Sequence, residues 1–158
     1  MSIFQSIVTI LDKNSITYTH MHHQPTPTSE DSARERWEPI EIGGKALLLK
    51  VDKSFHLFVM SAIRKLDTAK LKAAFNAKSV RFATPEELLE MTGLVPGSVP
   101  PIGKPLFTYD CYIDESILNN SKIAFNAGSL TDSIILQTKD WLWCIEHEVI
   151  DISKPNSV

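Results

Sequence analysis

The chain has 158 residues, of which 43% are hydrophobic, and carries a formal net charge of −3 at pH 7. This length and apolar content fit a single domain over residues 1–158, and no apolar run approaches the roughly 18 residues of a membrane span, so we expect a cytoplasmic protein that makes no membrane contact. The two cysteines lie far apart in sequence, which excludes a disulfide framework and a four-thiolate zinc site.

The first predicted element is an N-terminal helix. Apolar residues recur there at helical spacing: Ile3, Phe4, Ile7, Val8 and Leu11. Ser2 and Gln5 stand at the spacing of a capping box, which fixes where the helix begins. After this helix, the alternation of residues 16–20 predicts a strand that ends in three nearby histidines.

A second helix and a hairpin come next. Thr28 or Ser29 can cap a short helix that continues to about Trp37. Residues 45–51 and 55–61 are two apolar runs joined by a three-residue polar turn, the pattern of a hairpin whose strands are largely buried. Lys45 therefore stands at the start of a buried strand.

The second half of the chain interleaves helices and strands without a fixed repeat. Asp67 and Thr84 are predicted helix caps, and the helix after Thr84 ends at Gly93. The predicted strands cover residues 80–83, 106–113, 122–127 and 133–136. A last short helix or turn begins at Trp141. This order predicts an α/β (α+β mixed) fold, with a curved mixed β-sheet or barrel surrounded by helices.

Residues 92–103, the Pro/Gly loop, contain three glycines and three prolines. Proline fixes φ and removes a backbone donor, while glycine allows a ligand to approach the main chain closely. The loop can therefore line a ligand pocket with backbone groups. The alternative reading is a plain connection between a helix and a strand.

Positive charge is concentrated in residues 45–81, which hold nine Lys/Arg residues and two acidic residues, a net charge of +7. The rest of the chain carries −10. A basic face on an acidic protein can bind phosphates. The alternative is that Lys70, Lys72 and Lys78 merely solvate the outer side of a helix.

Common catalytic and metal-binding signatures are absent from the sequence. It contains no nucleophile elbow and no HExxH motif, and the glycines before Lys45 lack the spacing of a phosphate-binding loop. His20 and His22 would share one face of a strand, but a metal site needs a third ligand that the neighbouring sequence does not supply. We therefore expect no metal and no cofactor. Lys45, if its stem is buried, needs a partner such as a carbonyl, hydroxyl or phosphate, although a surface lysine is an equal alternative.

Four segments, taken in order, resemble one known family. They are residues 28–33 (TSEDSA), 44–50 (GKALLLK), 93–101 (GLVPGSVPP) and 124–129 (AFNAGS). Together they resemble the YbaK/ProX family, which comprises the editing domain inserted in bacterial prolyl-tRNA synthetases and its freestanding relatives. The resemblance runs from about Ile3 to Val149. It implies a mixed sheet or barrel with outer helices, and hydrolysis of the ester between a wrong amino acid and the tRNA 3′ end.

The resemblance also implies roles for particular residues. Lys45 matches the family's functional lysine and is the expected catalytic residue. The positions expected to bind substrate are Gly93, Pro96, Gly97, Ser98, Val99, Pro100, Asn126, Gly128 and Ser129. Ala46 stands where some alanine-specific members have Asn, which favours a small hydroxylated or other mischarged residue over alanine.

For the reaction, an aminoacyl ester is already activated, so a positioned water and stabilisation of the oxyanion by Lys45 and loop N–H groups would suffice. No general base is visible, and the terminal ribose hydroxyl is the expected assistant. The basic window would hold the acceptor stem of the tRNA, with Lys50, Lys53, Arg64 and Lys65 as the expected contacts.

Two other functions remain open on these residues. The first is a non-catalytic module that binds tRNA ends or amino acids, and the second is an esterase acting on small molecules. The expected partner in any editing role is a mischarged aminoacyl-tRNA, with an aminoacyl-tRNA synthetase or an elongation factor as alternatives for a protein that docks beside it.

Overall fold

The computed structural model describes residues 1–156. Its α-helices are α1 (Ile3–Lys13), α2 (Ser29–Arg36), α3 (Thr68–Phe75), α4 (Pro85–Thr92) and α5 (Thr138–Cys144). Its strands are β1 (Tyr18–His22), β2 (Gly44–Val51), β3 (Ser54–Ser61), β4 (Arg64–Leu66), β5 (Val80–Phe82), β6 (Cys111–Asp114), β7 (Lys122–Asn126), β8 (Asp132–Gln137), β9 (Glu148–Ile150) and β10 (Ser153–Pro155). Two short 3₁₀ helices cover Ile40–Ile42 and Glu115–Asn119.

The helices begin where side-chain caps satisfy the first backbone N–H groups. Ser2 and Gln5 form the predicted capping box of α1. Asp67 accepts hydrogen bonds from two backbone N–H groups at the start of α3, and Thr84 forms a capping box with Glu87 at the start of α4. Each cap satisfies donors that the helix itself cannot pair, so these starts follow from local sequence alone.

The strands form two main sheets and a short ribbon. A five-stranded mixed sheet has the order β5-β2-β3-β6-β9, in which β3, β6 and β9 run parallel and the other pairs antiparallel. A three-stranded antiparallel sheet has the order β1-β8-β7, and β4 pairs with β10. The mixed α/β prediction is confirmed, and among residues 1–156 the sheets are not closed into a barrel.

The two main sheets approach each other where Gly43 forms an isolated parallel bridge with Ala124 of β7. Gly44 makes this approach possible, because a Cβ atom there would lie 2.7 Å from Cδ1 of Ile123. A larger residue there would force the Ile123 side chain to shift. The junction therefore depends on two consecutive residues without side chains.

The largest core cluster lies between the sheets and is closed by α1, α4 and α5. Trp141 of α5 is 1% exposed, and its indole Nε1 donates a hydrogen bond of 2.8 Å to the carbonyl oxygen of Pro101. Leu94, Val99 and Ile102 of the Pro/Gly loop are buried in the same cluster. The loop is thus anchored on both sides, with part of its backbone left at the surface of the core.

Several predicted elements differ from the structure. The predicted strand over residues 106–113 is wrong in its first half, because the N–H of Phe107 bonds to the carbonyl of Gly103 at 2.7 Å, a turn in place of a ladder. The strand predicted over residues 16–20 lies two residues later, in β1. The three-residue strands β4, β9 and β10 were not predicted.

Within residues 1–156, no helix combines the length and the apolar character needed to cross a membrane.

Candidate functional site

A cavity of about 240 Å³ opens at the junction of the two sheets. We call it the inter-sheet cavity. One wall is α2 and the segment before it, with Thr26, Pro27, Thr28, Ser29, Ser32 and Arg36. The second wall comes from β2 and its neighbours, with Gly43, Gly44, Lys45, Ala46, Leu47 and Ala62. The Pro/Gly loop and β7 complete it with Gly97, Val99, Ala124 and Asn126.

The α2 wall is polar because of how this helix is composed. Thr28 caps the helix by accepting a hydrogen bond from the backbone N–H of Asp31 at 3.1 Å. Ser29, Ser32 and Arg36 follow at positions i, i+3 and i+7, so they lie on one face of the helix. Ser32 and Arg36 are buried at 6% and 7% exposure, so the inward face of α2 is polar.

Lys45 lies on the opposite wall, near the start of β2. Its stem is largely buried, and its Nζ atom donates a hydrogen bond of 2.7 Å to the carbonyl oxygen of Arg64. Burial lowers the pKa of Lys45, and the negative charge of Glu30 on α2 offsets part of this effect. The ammonium group is therefore held in a partly desolvated place where its charge acts strongly.

The position of Lys45 rests on a chain of contacts behind it. The Arg64 side chain donates from Nε to Ser153 Oγ at 2.9 Å, and Ser153 Oγ donates to a carboxylate oxygen of Asp114 at 2.7 Å. Asp114 is 1% exposed and also accepts a hydrogen bond from the backbone N–H of Ile152. The ribbon of β4 and β10 thus holds the carbonyl that orients Lys45.

Buried polar side chains of the cavity wall surround Asn126 on β7, and we call this part the deep end of the cavity. Its Oδ1 atom accepts a hydrogen bond of 3.1 Å from Arg36 Nη2, and its Nδ2 atom donates to Gly97 O at 3.0 Å and to Thr26 Oγ1 at 3.3 Å. Gly97 has φ +88°, a conformation that glycine adopts without strain. Asn126 therefore joins α2, the Pro/Gly loop and the segment before α2.

Arg36 is the most deeply buried cation of the cavity wall. Its Nε atom donates to Ser133 Oγ at 2.9 Å, so both of these side-chain partners, Ser133 and Asn126, are neutral. Burial lowers the pKa of Arg36 to about 10. Within residues 1–156, no carboxylate forms an ion pair with it. The cavity thus has two cations, and none of the lining residues is Asp, Glu or His.

The predicted substrate positions fall into two groups in the structure. Gly97, Val99 and Asn126 line the inter-sheet cavity together with Lys45. The others do not line it: Gly93, Pro96, Ser98, Pro100, Gly128 and Ser129.

The residues of this second group build the surroundings of the cavity. Gly93 ends α4. The Ser98 hydroxyl group accepts a hydrogen bond from the backbone N–H of Val95 and donates one to the Val95 carbonyl oxygen. The Ser98 carbonyl oxygen accepts a hydrogen bond from Gly128 N at 3.0 Å. Ser129 donates to Asp132 at 2.9 Å. The hydrogen bond between Gly128 and Ser98 thus joins the Pro/Gly loop to the segment that follows β7.

The four predicted tRNA contacts do not form one cluster. Arg64 and Lys65 lie in β4, beside the carbonyl that holds Lys45. Lys50 is near the far end of β2, with its Nζ atom 5.7 Å from the centre of the Phe55 ring, and Lys53 lies in the hairpin turn. Because strand residues alternate, Lys50 projects from the other face of the sheet than Lys45.

His20 and His22 share one partner in the structure. His20 Nε2 and His22 Nδ1 lie 2.9 and 3.0 Å from the same oxygen of Asp132. These hydrogen bonds, with one from Ser129, outweigh burial and lower the pKa of Asp132. Among the described residues, no group of three or more His, Cys, Asp or Glu side chains has an arrangement that could hold a metal ion.

Sequence reasoning missed the α2 wall of the cavity, above all Arg36. Arginine is usually a surface residue, which hid it. A signal was nevertheless present, because Ala33 is the only apolar residue of α2 (SEDSARER). A helix of this composition in a small domain buries a polar face, and Ser29, Ser32 and Arg36 are its candidates.

Comparisons with known proteins find similar proteins along most of the chain. Residues 23–143 match the family model described as an aminoacyl-tRNA editing domain. The Multifunctional Ser/Thr-tRNA deacylase ProXp-y of Escherichia coli (strain K12) is 27% identical over 157 residues, which cover 95% of this chain and 92% of that protein. The Prolyl-tRNA editing protein ProX of Acetoanaerobium sticklandii is 23% identical over 145 residues, covering 89% and 88% of the two chains.

A solved structure gives the same result for the fold. A protein provisionally assigned as a trans-editing enzyme for prolyl tRNA synthetase superposes with a TM-score of 0.82 over 98% of both chains, at 23% sequence identity. At that identity the likeness concerns the fold alone.

Proposed function

The chain belongs to the aminoacyl-tRNA editing domain family, and from this premise we propose that it is a trans-editing deacylase, a hydrolase that removes a wrong amino acid from the 3′ end of a tRNA. Two relatives, each matched over most of its length, are named a tRNA deacylase and a prolyl-tRNA editing protein. The observation that carries the proposal is the partly buried ammonium group of Lys45 in a cavity that also has a backbone-lined wall.

The size of the cavity limits what enters it. At about 240 Å³ it is smaller than the roughly 300–1,000 Å³ of pockets that enclose drug-sized ligands. A small aminoacyl group fits this space, while the terminal nucleotide stays at the mouth. Lys45 is less buried than Arg36, so we place the ester and the nearest phosphate beside Lys45.

The reaction requires little from the protein. Water adds to the ester carbonyl carbon, the tetrahedral oxyanion collapses, and the bond to the ribose oxygen breaks, which releases the amino acid and the tRNA hydroxyl. Lys45 stabilises the negative charge that develops on the oxyanion. Because no lining residue is Asp, Glu or His, the adjacent ribose hydroxyl is the group that assists the attacking water.

Binding of the tRNA itself is assigned to the basic part of the chain. Arg64 and Lys65, next to the Lys45 site, contact the phosphates nearest the 3′ end, and Lys50 and Lys53 contact a more distant part of the acceptor arm. We propose an aminoacyl-tRNA synthetase as the docking partner, since one relative is a proline–tRNA ligase and another is named a prolyl-tRNA editing protein.

A non-catalytic module that binds tRNA ends is the second candidate, and the lack of a protein general base in the cavity favours it. The two candidates differ in turnover. The deciding experiment charges one tRNA with alanine, serine, threonine or cysteine and follows release of the amino acid. Catalytic release that Lys45→Ala abolishes supports the deacylase. Binding without release by the native protein contradicts it.

A further inference from the structure

At the deep end of the inter-sheet cavity, one nitrogen of the Arg36 guanidinium group forms no hydrogen bond within the described residues. Arg36 Nε and Nη2 donate to Ser133 and Asn126, and within the described chain no hydrogen bond engages Nη1. A Cβ atom built on Gly43 would lie 3.8 Å from Nη1. Arg36 also borders a second pocket, together with Trp37 and Glu38, which Gly43 does not line. Because Gly43 lines the inter-sheet cavity, Nη1 is on the side of that cavity.

We propose that Arg36 is a specificity-determining residue, whose free Nη1 group donates a hydrogen bond to the hydroxyl oxygen of a seryl or threonyl side chain at the deep end of the cavity. This inference rests on the proposed deacylase function and names its substrate class. The burial of the two cations supports it, because Arg36 is 7% exposed whereas Lys45 is only half-buried and more accessible to an entering ester. The ester lies at the lysine and the side chain reaches the arginine.

The neighbours of Arg36 fix the direction of this donor. Asn126 Oδ1 accepts from Arg36 and its Nδ2 donates to Gly97 O, so the amide cannot turn over without losing both bonds. Ser133 Oγ holds Nε from the other side, backed by His23 Nε2 at 2.7 Å. A guanidinium held at two of its nitrogens presents the third in a fixed direction.

Two alternative side chains fit this end of the cavity less well. A methyl group in place of the hydroxyl leaves a buried guanidinium N–H without a partner, which costs binding free energy. A carboxylate meets the donor but must give up its hydration for a single free nitrogen. A hydroxyl oxygen is a neutral acceptor, like the two that Arg36 already has.

The test compares Arg36→Met with Arg34→Met, an exposed arginine of the same helix that pairs only with Asp31 on the surface. One tRNA is charged in turn with serine, threonine, alanine, valine and aspartate, and kcat/KM is measured for each. Arg36→Met should lower kcat/KM for serine and threonine about 10- to 100-fold and for alanine and valine less than threefold. Arg34→Met should change none of these values.

Several outcomes would overturn the proposal. Equal losses on all five substrates would show that Arg36 only supports the fold, and fastest hydrolysis of aspartate would assign the site to a carboxylate. If Arg36→Met does not fold, Arg36→Lys and Ser133→Ala take its place, with thermal unfolding measured in parallel, and both should reduce the preference for serine over alanine.

Failure of the deacylase function itself is separated by a binding measurement. Stable 3′-amide analogues of seryl- and alanyl-adenosine are titrated into the native protein and the variant. Arg36→Met should weaken binding of the seryl analogue about 10-fold or more and leave that of the alanyl analogue within threefold. This result supports the assignment of Arg36 even if no hydrolysis occurs, and equal affinities of the native protein for both analogues refute it.

Discussion

Replacing Lys45 by methionine should remove most of the deacylase activity and leave the fold in place. Methionine keeps an apolar stem of similar length at this half-buried position and removes only the ammonium group. Loss of one donor to a developing oxyanion lowers kcat by about 10²- to 10³-fold, or roughly 3–4 kcal/mol of transition-state stabilisation. The carbonyl of Arg64 loses its donor as well, which costs about 1 kcal/mol of folding stability, partly offset because a desolvated charge disappears.

Steady-state kinetics on the preferred aminoacyl-tRNA measure this effect. If Lys45 acts on the oxyanion, kcat falls and KM changes little; if it acts on the terminal phosphate, KM rises and kcat changes little. Lys139→Met, at an exposed position of α5, is the matched control. A kcat and KM both within threefold of the native values would refute the assignment of Lys45 to the reaction.

The pH profile gives an independent check on the same residue. Burial lowers the pKa of Lys45, so its ammonium group loses its proton at a lower pH than a free lysine with an ordinary pKa of 10.5. Enzymatic release, corrected for spontaneous ester hydrolysis, should therefore fall on the alkaline side below that value. The residual activity of Lys45→Met should lack this decline, and the same decline in the variant would contradict the reasoning.

Three further predictions concern the scaffold. Hydrogen bonds from Arg81 and from the Thr84 N–H hold the pKa of Glu87 at about 2, below its ordinary 4.5, so its stabilising effect is present above pH 4.5 and is lost as the pH falls towards 2; Glu87→Gln should flatten the acid dependence of Tm over that window. Asp114→Ala should cost roughly 3–5 kcal/mol in urea unfolding, because it leaves buried donors unpaired, and a loss below 1 kcal/mol would contradict the network described above. Burial raises the pKa of Cys111 to about 12 and raises that of Cys144, which is less buried, so a thiol reagent at pH 8 should modify Cys144 slowly and Cys111 only on unfolding.

The parts of the fold that could be predicted are those specified by neighbours in sequence. The caps at Ser2, Asp67 and Thr84 set helix starts through hydrogen bonds within three residues, and the hairpin of β2 and β3 follows from two apolar runs around a short turn. The strands β9 and β10 are three residues long and pair with distant partners, so nothing local specifies them.

The candidate site likewise contains residues that could be named from the sequence and one, Arg36, that could not. Lys45, Gly97 and Asn126 belong to the segments that resemble the YbaK/ProX family, and the structure brings them to one cavity. Arg36 reaches this cavity because Asn126 and Ser133 lie opposite α2 in the folded molecule. Such a contact depends on pairing across about 90 residues, which periodicity and spacing do not reveal.

The junction between the sheets has a consequence for how this scaffold can diversify. The lysine is carried by one sheet, whereas the anchors of Arg36 are carried by the other, and the bridge of Gly43 with Ala124 joins the two through backbone groups. If Arg36 selects the amino acid as proposed, substitutions around Asn126 and Ser133 alter which amino acid is accepted without displacing Lys45. A lineage with this architecture can acquire a new editing target in small steps, each of which retains a working hydrolase.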